Sequence, residues 1–221
     1  MINFDEFIYN YYEKGYVITH LPLEIHKDFW FEIYSTEWIK SKSVFKTVPS
    51  WYVEGEPINI NSHDAQQEFE YHANKKILQQ APQSFKDLAH RVINLPIFDH
   101  IKVYKQEPHV SHVHLWNGAE GGDYHQDVID GSNTLVLIYF TEEQSWQDSY
   151  GGRLLLRKTV NNKDVYNDSV NPLSGNMVII NNDNPLFMHK VEELNNSNVN
   201  RYTFAFSYNW KKNDSWTYYW Q

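Results

Sequence analysis

The pattern of apolar and polar positions divides the chain into a helical first part and a strand-rich second part. Apolar residues recur at helical spacing in segments 3–14, 23–39, 64–81 and 84–95. We expect the first helix to end at Gly15, a residue type common just past helix ends, and Pro22 to precede the second. A brief strand, "YVITH", follows the first helix. The pattern predicts that residues 1–95 are mainly helical.

Short β-type runs replace the helical pattern after Pro96. They read "HIKVYKQE", "VSHVHLWN", "NTLVLIYFTE", "GRLLLRKTV", "GNMVIINND" and "NRYTFAFSYNW". Glycine, asparagine and proline separate these runs, and no helical pattern lies between them. This order predicts an α+β fold whose second part is an antiparallel sandwich or barrel.

The last run alternates between two kinds of side chain. One face carries the aromatic residues Tyr202, Phe204, Phe206, Tyr208 and Trp210. The other face carries Arg201, Thr203, Ala205, Ser207 and Asn209. We expect the aromatic face to pack under helices and the small, polar face to line a ligand cavity. An arginine at the head of that second face indicates an anionic ligand.

Composition narrows the class of protein. With 221 residues, 41% of them hydrophobic and 21% charged, the chain is long and apolar enough for one folded domain. The aromatic content of 16% favours a β-rich fold. A net charge of −9 disfavours nucleic acid as a partner. The sequence predicts neither a signal peptide nor a transmembrane run, so we expect a cytoplasmic protein without a membrane partner.

The absence of cysteine restricts the possible chemistry. Without thiols there is no disulfide, no cysteine nucleophile and no cysteine-ligated metal cluster. Any metal ion must therefore be held by histidine, aspartate or glutamate.

A histidine and an aspartate lie two residues apart in "GGDYHQDVIDG". On an extended segment His125 and Asp127 point the same way, which allows a metal site, an acid–base pair or only a polar turn. His189 and then Arg201 follow further along the chain. The four residues form an ordered set: H-x-D, a long gap, H, a short gap and R.

This ordered set resembles the 2-oxoglutarate/Fe(II)-dependent oxygenases, and its layout is most similar to their prolyl-4-hydroxylase-like branch. The neighbouring stretches "LVLIYFTEEQSWQDSYGGRLLLR", "PLSGNMVIINNDNPLFMHKV" and "EKGYVITHLPLEIHKDFW" are also similar to segments of that family. The resemblance extends over residues 10–212 and is densest over 115–210.

The resemblance implies a fold and a set of ligands. The implied fold is one domain over 1–221, with a double-stranded β-helix (jelly-roll) core at 96–212 and the N-terminal helices packed on its major sheet. His125, Asp127 and His189 would bind Fe(II) and leave three positions for 2-oxoglutarate and O2. Arg201 would bind the distal carboxylate of 2-oxoglutarate, aided by Thr203 and Tyr139. Ascorbate is a candidate reductant.

The resemblance also implies hydroxylation of a C–H bond, with release of succinate and CO2. Asp127 favours hydroxylation over halogenation, because halogenating relatives lack the carboxylate ligand. The layout favours a peptide or protein side chain as substrate, with a free amino acid or another small metabolite as the alternative. Nucleic-acid demethylation is disfavoured by Ser207, which stands where that branch has a second arginine. A β-helix binding module without turnover is the alternative from another class.

The roles of several other residues near the ordered set stay open. His112 and His114 share a strand face, but the nearest glutamate, Glu120, lies too far along for a cupin motif, so packing near the cavity is the favoured interpretation. Trp116 and Asn117 are candidates for the substrate mouth, and core packing is equally open for Trp116. Specificity is expected in loops 41–62 and 142–150. The sequence leaves the substrate and the oligomeric state open.

Overall fold

The described residues of the N-terminal part form three α-helices. A computed structural model describes residues 3–40, 47–51, 81–101, 109–116, 121–127, 134–184 and 186–208. The helices are α1 (Phe4–Tyr9), which continues as a π-helical segment (Asn10–Lys14), α2 (Leu23–Ser35) and α3 (Gln83–Ile93). Short 3-10 turns cover Pro96–His100 and Asp148–Tyr150. As predicted, the first helical segment ends at Gly15, whose φ of 95° is left-handed.

In the part of the chain that the structure describes, ten strands form two sheets, and these strands pair antiparallel. The strands are β1 (Tyr16–His20), β2 (Trp38–Lys40), β3 (Thr47–Pro49), β4 (His109–Trp116), β5 (Thr134–Phe140), β6 (Leu154–Val160), β7 (Lys163–Val170), β8 (Asn176–Asn181), β9 (Phe187–Val191) and β10 (Arg201–Tyr208). The major sheet has the order β1-β8-β5-β10-β4-β3-β2, and the minor sheet has the order β7-β6-β9. The predicted strand at 16–20 is confirmed as an edge strand of the major sheet.

Strand β5, at the centre of the major sheet, is buried on both faces, which explains why it is apolar without alternation. On one face Val136, Ile138 and Phe140 pack with residues of the three helices in a single apolar cluster. On the other face Leu135, Leu137 and Tyr139 pack against residues of the minor sheet. The expected architecture, an α+β fold with N-terminal helices on the major sheet of a two-sheet core, is confirmed.

Strand β10 separates its side chains as the alternation predicted. Tyr202, Phe204, Phe206 and Tyr208 all lie in the cluster that contains the helices. Ala205 faces the space between the sheets, where it joins the second cluster. Arg201, also on that face, is almost fully buried. The strand therefore brings a buried cation to the interior of the β-helix.

The helix predicted over 23–39 is shorter in the structure. It ends at Ser35, and Thr36 is extended, with φ −75° and ψ 134°. The hydroxyls of Ser35 and Thr36 both donate to the carbonyl of Glu32 and so satisfy a carbonyl of the last helical turn. The chain then enters β2, which pairs with β3 at the far edge of the major sheet.

Two strands of the minor sheet were not among the predicted runs. They are β7, at the sheet edge, and β9, which carries His189. The side chains of β7 are largely exposed, so its sequence has few apolar residues to mark it. Asn161 and Asn162 form the turn into β7, and both have positive φ, as a type I′ hairpin turn requires.

Parts of several predictions lie outside the described residues. These are the helix over 64–81, most of the strand in "HIKVYKQE", most of loop 41–62, Asn117 and Trp210. The side chain of His112 lies outside them as well. Within the part of the chain that the structure describes, no helix is long and apolar enough to cross a membrane. The cytoplasmic location stays a prediction.

Candidate metal and cosubstrate site

The segment at 121–127 lies beside β9 and extends the minor sheet. The amide of Gly122 donates to the carbonyl of Val191 at 3.0 Å. His125 and His189 form an antiparallel bridge in which each amide donates to the other carbonyl, at 2.9 and 3.0 Å. Their rings lie on the same side of the sheet, with centroids 4.5 Å apart. The sheet pairing therefore brings together two histidines that are far apart in the sequence.

Asp127 completes a cluster of three possible metal ligands. Its Oδ1 lies 3.6 Å from Nε2 of His125, and its Oδ2 lies 3.2 Å from Nε2 of His189. One nitrogen or oxygen atom from each residue lies within 4.8 Å of the others. The side chain of His189 is 4% exposed and that of His125 is 48% exposed. The cluster is thus closed on one side and open to solvent on the other.

Hydrogen bonds around the cluster fix the orientation of its members. Nδ1 of His125 lies 2.7 Å from the carbonyl of Asp123, which can only accept, so in the neutral imidazole Nδ1 carries the proton and Nε2 has the lone pair. The Asn182 amide donates to the backbone carbonyl of Asp127 at 2.7 Å. The Gln126 amide donates to the carbonyl of Asn184 at 2.6 Å. The loop before β9 therefore supports the segment that carries His125 and Asp127.

A cavity of about 380 Å³ opens from this cluster into the space between the sheets. It is lined by His125, Asp127, His189, Arg201, Thr203, Tyr139, His114, Trp116, Gly121, Gly122, Leu137, Leu154 and Val191. All six residues predicted as ligands of metal or cosubstrate line this one cavity. A volume of this size is in the range of small-ligand sites.

Arg201 is the most unusual residue of the cavity. It is 1% exposed, and among the described residues its Nε and Nη2 have no hydrogen-bond partner. Its Nη1 donates to Oγ1 of Thr203 at 2.6 Å. Burial lowers the pKa of the guanidinium, although an arginine still keeps its charge. A buried cation with unused donors is costly unless an anion binds to it.

Two aromatic rings flank the guanidinium. Its central carbon lies 4.9 Å from the ring centroid of Tyr139 and 5.5 Å from that of Trp116. Burial raises the pKa of Tyr139 to about 12, despite the opposing effect of Arg201, so its hydroxyl keeps its proton at neutral pH. Among the described residues that hydroxyl makes no hydrogen bond of ordinary length. It is available to donate to a ligand.

His114 and Trp116 also contribute to the cavity wall. His114 is 4% exposed and lies opposite Thr203 in the β4–β10 pairing, and Trp116 lies opposite Arg201. The interpretation of His114 as a residue packed near the cavity agrees with this position. Trp116 is a wall residue that also packs against the small cluster around Trp146.

Part of the chain matches a known protein family. Residues 109–209 match the family model described as the 2OG-Fe(II) oxygenase superfamily. The β-helix core of this chain, over the matched residues, belongs to that superfamily. The protein is an Fe(II)- and 2-oxoglutarate-dependent oxygenase, whose cofactors are Fe(II), 2-oxoglutarate and O2. No curated protein matches the sequence.

Solved oxygenase structures share the fold at low sequence identity. A prolyl-4-hydroxylase of Pseudomonas putida superposes with a TM-score of 0.53 and 13% identity, covering 95% of this chain and 100% of that chain. A 2OG-Fe(II) oxygenase family oxidoreductase of Burkholderia pseudomallei gives 0.51 and 11%, covering 95% and 91%. At such identities the likeness shows the fold alone.

The residues of this oxygenase fit the cofactors of its superfamily. Two imidazoles and one carboxylate, with no thiolate, are a donor set suited to non-haem Fe(II) that leaves coordination positions open. The unpartnered donors of Arg201, in the same cavity, suit the carboxylate of a small diacid.

Two residues of this oxygenase that contact the segments of the predicted ligands were not predicted from the sequence. Asn182 is one, and the only signal it offered was its place in the polar stretch "NNDN" before His189. Tyr124 is another, because its ring contacts Arg157 of β6 and Lys190 of β9. Neither contact follows from local sequence, since both depend on which strands are neighbours.

Proposed function

We propose that the protein hydroxylates a C–H bond of a peptide or protein side chain and converts 2-oxoglutarate to succinate and CO2. The observation that carries this proposal is the position of Arg201. Its buried guanidinium, with Nε and Nη2 unpartnered among the described residues, lines the same cavity as the His125, Asp127 and His189 cluster. A buried cation beside three side chains that can bind a metal ion suits a ligand that has both a metal-binding end and a carboxylate.

His125, Asp127 and His189 are the proposed ligands of Fe(II). Bound Fe(II), together with 2-oxoglutarate and O2, supplies the oxidising chemistry. The protein holds the imidazoles by the backbone bridge between their strands, and Asp123 keeps the proton of His125 on Nδ1. The Asn182 amide fixes the backbone of Asp127. These contacts support a site that is organised before the metal binds.

Arg201, Thr203 and Tyr139 are the proposed ligands of the distal carboxylate. The guanidinium can offer its Nε and Nη2 edge as a fork to two carboxylate oxygens. Because Thr203 accepts from Nη1 of Arg201, its own hydroxyl proton is free to point at the ligand. The Tyr139 hydroxyl, protonated at neutral pH, can donate as well.

The shape of the site favours a substrate that lies mostly outside the cavity and enters it with one side chain. The cosubstrate cavity measures about 380 Å³, and its wall at Gly121 and Gly122 is exposed to solvent, as is much of His125. An extended peptide could place one side chain there while the rest of it stays outside. The Pseudomonas putida structure with this fold is a prolyl-4-hydroxylase, which supports the same substrate class. A free amino acid or another small metabolite is the alternative.

The domain arrangement belongs to this proposal. We propose that residues 1–221 act as one dioxygenase domain, in which residues 1–95 support a catalytic core at 96–212. The packing of α1, α2 and α3 in one apolar cluster with the major sheet supports this arrangement.

An assay in two stages tests the proposed function. Under anaerobic conditions, Fe(II) with 2-oxoglutarate should give a weak charge-transfer band in the visible range, and each component alone should not. In air, succinate release should rise with substrates from a library of peptides and metabolites, and mass spectrometry should find a product heavier by one oxygen. A non-catalytic β-helix module would take up metal and release no succinate with any member of the library.

A further inference from the structure

An aromatic ring and two cations form a cluster on the outer face of the minor sheet. The ring of Tyr124 has the guanidinium carbon of Arg157 at 3.7 Å and the ammonium of Lys190 at 4.9 Å from its centroid. Tyr124 directly precedes His125, and Lys190 directly follows His189. Because successive side chains of a strand point to opposite faces, this cluster lies behind the two imidazoles.

The cluster joins the segment at 121–127 to two neighbouring strands of the minor sheet. Tyr124 belongs to the segment at 121–127, Lys190 to β9 and Arg157 to β6. Arg157 lies opposite Met188 in the β6–β9 pairing and contacts its sulfur with Nη2 at 4.0 Å. Among the described residues, no strand pairs with the other side of the segment at 121–127. Side-chain contacts behind the sheet therefore add to the few backbone bonds that hold this segment to β9.

We propose that Tyr124 is a positioning residue for the metal site. The cations on Arg157 and Lys190 are attracted to the negative face of the ring, so the ring ties His125 to the strand that carries His189. This attraction keeps the separation of the two imidazoles and lowers the cost of organising the ligands when metal binds. The inference rests on the proposed role of His125 and His189 as ligands.

Titration of the apo protein with Co(II), followed by its visible absorption, tests this role without any turnover. Tyr124→Ala should raise the Kd for Co(II) about tenfold, the size of effect typical of residues that orient metal ligands. Tyr124→Phe keeps the ring face and should bind Co(II) like the wild type. Arg157→Gln removes the closer cation and should also raise the Kd.

Tyr166→Ala is the matched control. Tyr166 lies in β7, also in the minor sheet, and the ammonium of Lys14 lies 5.2 Å from its ring centroid. Removing this ring should leave the Kd for Co(II) unchanged, even where it lowers the melting temperature. A purely structural role of Tyr124 would change stability as Tyr166 does and would not change metal affinity.

The outcomes separate the two proposals. A wild-type protein that binds no Co(II) would overturn the metal site itself, and this inference with it. Wild-type binding with an unchanged Kd in folded Tyr124→Ala overturns the positioning role alone. Where Tyr124→Ala does not fold, Arg157→Gln decides, and a wild-type Kd in that variant also overturns the role.

Discussion

His125 and His189 are backbone partners as well as side-chain neighbours. Each amide donates to the other carbonyl, and the two rings lie on one side of the sheet with centroids 4.5 Å apart. The distance between the proposed ligands is therefore set by strand pairing, which is stiff, and less by side-chain rotation. Any change that moves the segment at 121–127 away from β9 should weaken metal binding.

Two adjacent glycines allow this dependence to be tested. A Cβ at position 121 would lie 2.6 Å from the amide nitrogen of Glu193 and 2.9 Å from the carbonyl oxygen of Val191, whereas a Cβ at position 122 would meet nothing within 4 Å. Because those neighbours are backbone atoms, Gly121→Ala must push the segment off β9, at a cost of about 1–3 kcal/mol. We expect a lower melting temperature and a higher Kd for Co(II). Gly122→Ala should leave both at wild-type values, and equal effects of the two variants would contradict the argument.

Arg201 should matter for the cosubstrate and not for the metal. Arg201→Gln removes the charge that a carboxylate needs in a buried cavity, and we expect the Kd of 2-oxoglutarate to rise about 100-fold. Arg201→Lys keeps the charge but loses the fork, so its effect should be smaller, about tenfold. Calorimetry with Mn(II)-loaded protein measures the affinity for 2-oxoglutarate, and titration with Mn(II) alone measures the affinity for the metal. Equal loss of both affinities would remove the role assigned to this residue.

Thr203 offers a test of one hydroxyl. Thr203→Val keeps the shape of the side chain but removes the acceptor of Arg201 Nη1 and the proposed donor to the carboxylate. We expect the Kd of 2-oxoglutarate to rise about fivefold to tenfold. Ser207→Ala is the control, because Ser207 is also buried on β10 and its hydroxyl has no partner among the described residues. A Thr203→Val variant with the affinity of Ser207→Ala would exclude a bond from Thr203 to the cosubstrate.

The parts of the fold that could be predicted are those marked by local periodicity. The alternation in β10 correctly assigned Tyr202 and Phe204 to the helix side and Arg201 to the interior. The end of α2 was placed too late, because apolar residues continue past Ser35 into β2. Strand β7 was missed since its exposed side chains carry no apolar pattern.

The candidate site shows the same division between local and long-range information. The spacing of His125 and Asp127 predicted that they share a face. The order in which His189 and Arg201 follow them carried the resemblance that implied the other ligands. The hydrogen bond from Asn182 to the carbonyl of Asp127 joins two loops, and the contact of Tyr124 with Arg157 joins the segment at 121–127 to β6. Such contacts depend on register between distant segments, which no single stretch of sequence encodes. The ligand roles themselves stay predictions until binding is measured.

His26 should make the protein sensitive to mild acid. It is buried on α2 against Phe140, with ring centroids 5.3 Å apart, and burial lowers its pKa, with a smaller contribution from nearby His20. In the unfolded chain the pKa is near 6.5, so below that pH the unfolded state binds more protons than the folded state. The free energy of unfolding should therefore fall as the pH drops below about 6.5. Urea unfolding of the apo protein at a series of pH values between about 5 and 8 measures this slope. His26→Gln, which cannot titrate, should reduce the slope, and a variant with the wild-type slope would assign the acid sensitivity to other titrating groups.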